Sequence, residues 1–255
     1  MPPTTTSSSY WAASRAPRYS LIFALPLLFL YELLAAGLQG GAVGIRNGAD
    51  VMLKSLVSSV AGPRGPLIVD IGIIVVMLGV AARDWRRHPG GLRVSVFLRM
   101  VIESSALAAI FGTVVGVVTA QLVNAVGASP GLAIAAGGGP LDRLGVPTAI
   151  TLSLGAGLYE ELLFRVILVG ALVWVGKHLL GWGPVASTTF AVLGGATVFS
   201  VFHYVGPYGD TFTMTSFLFR AIAGLAFSGL YVTRGFGITA WTHALYDVFL
   251  VIARG

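Results

Sequence analysis

Apolar runs long enough to cross a bilayer follow one another along almost the whole chain. The first is Ser20 to Leu38, and others cover roughly 66–82, 94–123, 148–175, 184–204, 214–232 and 238–252. A membrane-spanning helix needs about 20 mostly apolar residues, with shorter and longer examples common. The charge content agrees with that reading. Only 10% of the 255 residues are charged and 56% are hydrophobic, whereas soluble domains carry about 25% charged residues. The expected fold is all-α: a polytopic transmembrane helix bundle of about seven spans. No segment outside those runs is long enough to fold alone.

The organisation expected from the sequence has three parts. Residues 1–18, rich in Ser, Thr and Pro and lacking acids, read as a disordered tail. Residues 19–146 hold the N-terminal transmembrane helices, and residues 147–255 form a C-terminal transmembrane core. Ala35-Ala36-Gly37 imitates a signal cleavage site, but the length of the run and the presence of Pro26 and Glu32 favour a retained span. The stretch from Asp50 to Ala61 reads as an interfacial helix. The chain has no cysteine, which excludes disulfides, thiol nucleophiles and iron–sulfur clusters. The net charge of +6 is assigned to topology signals in short loops rather than to nucleic-acid binding. With a cytoplasmic N-terminus, eight basic residues fall on inner segments and five on outer ones. The expectation is an integral protein of a bacterial inner membrane with its N-terminus inside.

Against that apolar background a few ionisable residues stand out. Glu160, Glu161 and Arg165 occupy one stretch, GAGLYEELLFRVILVG. A charge at the bilayer centre costs at least ~2.5–3.5 kcal/mol on the most lenient scale. On a helix Glu161 and Arg165 share a face, so they read as an ion pair. Glu160, about 100° away, reads as a general base for water. His203 ends the fifth apolar run, and His243 and Asp247 lie four apart in the last. Buried polar groups on separate spans usually face the bundle interior and meet there. Asp247 reads as a residue that orients His243 or joins the site directly. Ser200 reads as packing. GAG in LGAGLYEE lacks the third glycine and the preceding strand of a dinucleotide fingerprint.

These residues carry a family resemblance. EELLFR resembles the EExxxR motif of the CPBP family of intramembrane endopeptidases (CAAX-processing and bacteriocin-processing enzymes, also called Abi). FSVFH resembles that family's FxxxH, and HALYD its HxxxN/D, in the Asp form. The three occur in the family's order over residues 160–247. The resemblance implies hydrolysis of peptide bonds in membrane-associated substrates, prenylated CAAX-type or bacteriocin-like. It implies that Glu160 and His203 activate water and that His243 and Asp247 stabilise the oxyanion. A carboxylate at position 247 repels an oxyanion unless it is protonated or bound to a cation. The implied partners are membrane lipid and a peptide or protein with a membrane-associated segment, not nucleic acid.

Glu160, His203 and His243 also have the composition of a zinc site with an open fourth position, but there is no HExxH. No cofactor is required, and zinc is left as an option. The competing functions are a non-catalytic scaffold or immunity protein of the same fold, and a proton-coupled transporter. Of the other charges, Arg99 is expected to pair with Glu103 four residues on, Arg220 has no evident local partner and is matched to Glu32 or Asp247, and Asp70 is expected to be wet. Topology raises one difficulty. Measured from a shared membrane face, His203 lies about 19 residues along its span and His243 only about five, at ~1.5 Å per residue. A common site requires an offset between helices, or a turn at Gly235–Gly237 that dips into the bundle.

Overall fold

Proline and glycine punctuate the chain, and the helices obey them. The computed structural model describes residues 9–38, 46–125, 144–206 and 209–254. Its helices are α1 (Tyr10–Arg15), α2 (Pro17–Gly37), α3 (Gly48–Ala61), α4 (Gly65–Arg87), α5 (Val94–Ala125), α6 (Val146–Gly155), α7 (Gly170–His178), α8 (Pro184–Phe202), α9 (Met214–Arg234) and α10 (Phe236–Arg254). Proline stands in the first two positions of α2, α4, α6 and α8, where its missing N–H costs no helical hydrogen bond. Between α6 and α7 the chain winds as a π-helix, Ala156–Val169. Residues 146–178 are thus one continuous rod. Among the described residues there is no strand.

Six stretches are long and apolar enough to cross a membrane: α2, the α3–α4 stretch, α5, α8, α9 and α10. The 146–178 rod, which carries Glu160, Glu161 and Arg165, is the seventh long helical element. An all-α polytopic bundle is therefore the fold. The main core draws on α2, α4, the rod, α8 and α10, with Leu27, Leu158 and Ala244 fully buried in it.

Two expectations need correction. The tail expected to be disordered over residues 1–18 is ordered from Ser9 onward. Ser9 caps α1, and Arg234 lies 3.9 Å from the Trp11 ring centroid and donates to Ser14 Oγ at 2.9 Å. Two aromatic rings and a buried arginine in need of partners hold this short helix to the bundle. Residues 1–8 lie outside the described residues, as does the GGGP stretch with Asp142 and Arg143. The 50–61 segment, expected at the interface, packs on the protein through buried Asp50 and Lys54 and leaves Val51, Leu56 and Val60 exposed. Gly62, at φ 62°, reverses the chain, a conformation that favours glycine. A Cβ on Gly65 would come within 2.5 Å of the Ser58 backbone, so α3 and α4 form a tight hairpin with Asp50 fully buried.

The second correction concerns charges. Glu103 accepts from Arg234 at 2.5 and 2.6 Å and from Tyr10, not from Arg99. Arg220 pairs with Asp210 and donates to Ser216 at 2.8 Å. Asp70 accepts from Tyr159 at 2.8 Å and pairs with Lys54 at 2.9 Å. In each case a half-buried charge has its ion-pair partner outside its own helix, because local sequence spacing does not govern contacts between helices. Ser200 donates to the Phe217 carbonyl at 2.7 Å, a packing contact between α8 and α9.

Candidate active site

The π-helix supplies the carboxylates and two glycines let its neighbours approach. A Cβ on Gly157 would lie 2.5 Å from both the Ala240 carbonyl oxygen and the Ala244 Cβ. With only hydrogen there, α10 lies directly against the π segment and His243 reaches Glu161. A Cβ on Gly155 would lie 2.5 Å from the Tyr31 ring and 2.8 Å from the Asn47 Cβ. The glycines of GAG are therefore contact points for α10, α2 and the start of α3. A long π stretch was not foreseen, since the four-residue spacing of Glu161 and Arg165 fits an α-helix equally well. π segments concentrate at functional sites.

The six site residues expected from the sequence fall into two linked groups. Glu161 is fully buried; Arg165 Nη1 lies 3.2 Å from its Oε1, and His243 Nδ1 lies 2.7 Å from the same oxygen. Arg165 is further held by the Gly224 carbonyl at 3.3 Å and by the rings of Phe199 and Phe227, at 4.4 and 5.5 Å. Phe227 also stacks on His243, centroids 4.4 Å apart. Across the ring, His243 Nε2 faces Asp247 Oδ2 at 3.6 Å. Ion pair, rings and hydrogen bonds thus fix His243 in one orientation.

Glu160 forms the second group with His203. Their nearest atoms, Oε2 and Nε2, are 4.0 Å apart. His203 stands at the C-terminal end of α8, and its Nδ1 lies 2.8 Å from the Phe199 carbonyl. A carbonyl only accepts, so Nδ1 carries the hydrogen, and the neutral ring presents a lone pair at Nε2. Phe199 therefore has two tasks: its carbonyl sets the His203 tautomer and its ring covers Arg165. Glu160 Oε2 is buried and has no hydrogen-bond partner among the described residues. Its other oxygen accepts from Asn47 Nδ2 at 2.8 Å. Asn47 was not among the expected residues; it lies at the end of a Gly-rich stretch with no period to mark it.

The α9–α10 turn is tightly packed. Gly235 adopts φ 80°, and Gly237 N donates to Ser20 Oγ at 2.8 Å. A Cβ on Gly237 would clash with the Ser20 carbonyl oxygen. Ile238, Thr239 and Ala240 are fully buried. The turn is packed against the start of α2 near Ser20.

A zinc cage would require donors to converge. Ligand atoms on one tetrahedral zinc, with bonds of ~2.0–2.2 Å, lie ~3.3–3.6 Å apart. Among the described residues the one set of three potential ligands within 4.8 Å of one another is Glu32, Asp50 and Asp70. Lys54 Nζ already sits among those three at 2.7–2.9 Å, so a cation occupies their centre. Glu160, His203 and His243 do not form such a set. The residues as arranged do not fit a zinc ion.

Residues 142–249 match the model of a family described as Rce1-like, type II CAAX prenyl endopeptidase. That stretch contains the π-helix, His203, His243 and Asp247. The chain thus carries a domain of this CPBP-family type, as the three motifs led us to expect, and with its apolar helices it is an integral membrane protein. The match supports an intramembrane protease of the CAAX type in general. Comparison with curated proteins gave no match, and comparison with solved structures gave none.

Proposed function

We propose that the protein hydrolyses peptide bonds of membrane-associated substrates by direct attack of water held between Glu160 and His203. The observation that carries this reading is the pair of acceptor atoms, Glu160 Oε2 and His203 Nε2, 4.0 Å apart. One water donating two hydrogen bonds of ~2.8 Å across that gap subtends about 90° at its oxygen, close to its own bond angle. A carboxylate oxygen and an imidazole lone pair at this spacing therefore suit both hydrogens of a single water.

The chemistry follows from the same atoms. Glu160 Oε2 takes one proton as the water oxygen attacks the scissile carbonyl carbon. His203 Nε2 accepts a hydrogen bond from the other hydrogen and orients the attacking lone pair. The tetrahedral intermediate collapses with proton return from Glu160 to the leaving nitrogen, so the acid and base steps balance. His243, held as the imidazolium with Nδ1–H on Glu161 and Asp247 beside Nε2, offers its Nε2–H to the developing oxyanion. Asp247 steadies its Nε2 side, a role that asks no hydrogen bond of Asp247 to the oxyanion itself. His203 and Asp247 keep about a quarter of their side chains exposed, which favours substrate entry on that side. No step requires a metal.

Glu160→Ala and His203→Ala are each expected to abolish release of the C-terminal tripeptide from a farnesylated CAAX peptide, while the protein still inserts and unfolds at its normal temperature. Full activity in either variant removes the assignment.

A further inference from the structure

Asn47 belongs to none of the three motifs and precedes the matched segment by almost a hundred residues, yet its hydrogen bonding is almost entirely committed. It is the N-cap of α3: its Oδ1 accepts from Ala49 N at 2.9 Å. Its backbone N–H donates to Tyr31 Oη at 3.2 Å. An N–H requires an acceptor, so the oxygen of the amide must face Ala49 and the nitrogen must face the other way. That nitrogen meets Glu160 Oε1 at 2.8 Å. The cap therefore determines which end of Asn47 Glu160 sees.

The anchor behind Asn47 is dense. Tyr31 Oη donates to Asp50 Oδ2 at 2.7 Å. Asp50 is paired with Arg46 at 2.6 Å and with Lys54 at 2.9 Å, and Lys54 reaches Glu32 and Asp70 as well. Helices α2, α3 and α4 are thereby tied together, and Gly155 lets Tyr31 and Asn47 close on the π-helix.

A carboxylate has two equivalent oxygens, and its last torsion is soft. A donor on one oxygen removes that freedom. With Oε1 tied to Asn47, Oε2 is the oxygen left facing His203. We infer that Asn47 is a positioning residue that selects the oxygen of Glu160 which receives the proton from water. This rests on Glu160 acting as the base. Groups that orient a reacting residue from behind typically change activity ~10–100-fold when removed.

The test uses Asn47→Asp and Asn47→Ser in the full-length protein in detergent. Both residues cap helices well, so α3 keeps its start, while the amide donor to Glu160 is lost. On a farnesylated CAAX peptide the expected result is a ~10–100-fold fall in kcat with KM within about twofold. A second readout needs no substrate: dicyclohexylcarbodiimide labelling of Glu160, located by mass spectrometry and distinguished from Glu161. Without its amide donor in Asn47→Ser, Glu160 is expected to label severalfold faster than in wild type, with an unchanged unfolding temperature. Wild-type kcat together with wild-type labelling in both variants overturns the inference. If the peptide is not cleaved by wild type, or Asn47→Asp fails to fold, labelling of Asn47→Ser decides. Glu160→Gln is assayed alongside. An inactive Glu160→Gln with fully active Asn47 variants sinks the positioning role alone, and an active Glu160→Gln sinks the base assignment beneath it.

Discussion

Replacing Gly157 by alanine moves α10 without touching any reacting group. The added Cβ would lie 2.5 Å from the Ala240 carbonyl oxygen, 2.5 Å from the Ala244 Cβ and 2.7 Å from the Ala244 nitrogen. Carbon atoms rest at ~3.5–4.0 Å, so α10 must retreat by roughly 1.0–1.5 Å. His243 Nδ1, now 2.7 Å from Glu161 Oε1, would then sit beyond ~3.5 Å, outside hydrogen-bonding reach. A displacement of ~1 Å at a reacting constellation can cost ~100-fold in rate. Overpacking costs ~1–3 kcal/mol of stability, partly offset by ~1 kcal/mol from replacing glycine within a helix. The variant should therefore stay folded and lose most of its activity. Gly170→Ala is the control, because a Cβ there meets nothing within 4 Å. Cleavage of a quenched farnesylated CAAX peptide and thermal unfolding in detergent read both quantities. A Gly157→Ala enzyme that cleaves within twofold of wild type would refute the view that this contact sets the site.

Other consequences follow from the same structure. Arg165→Met should cost ~3–5 kcal/mol by leaving Glu161 buried and unpaired, seen as low yield from membranes. Adding Glu161→Gln should restore yield but not cleavage. Full demetallation, checked by elemental analysis, should leave cleavage unchanged, and a rate that falls and returns with added zinc would contradict the water geometry proposed. Since the chain lacks cysteine, single cysteines report topology cleanly. Arg86→Cys and Leu180→Cys should label from the cytoplasmic side and Val205→Cys from the other, and the reverse pattern would invert the proposed orientation.

What the sequence disclosed was chiefly what burial makes conspicuous. Glu160, Glu161, Arg165, His203, His243 and Asp247 stand out because ionisable groups are costly in apolar runs, and the structure brings them into two adjoining groups. Asn47 gave no such signal: an asparagine beside Gly-rich, polar sequence is unremarkable until Glu160 is seen 2.8 Å away. The π-helix was hidden because four-residue spacing does not distinguish the two windings. Partner choice was legible only where partners are close in sequence. Arg165 with Glu161 was readable at a separation of four, whereas Arg234 with Glu103 spans 131 residues. The order of α1 was equally hidden, because its stability comes from Arg234 and Glu103 rather than from its own six residues.

The most direct test is the single-turnover rate of purified wild-type protein and Glu160→Gln on a farnesylated CAAX peptide, with folding matched by thermal unfolding. Glutamine keeps the size of the side chain and its contact with Asn47 but cannot take a proton from water. The account predicts tripeptide release by wild type and a loss of at least ~100-fold in Glu160→Gln, the lower range for a general base. Equal rates in the two proteins would contradict it.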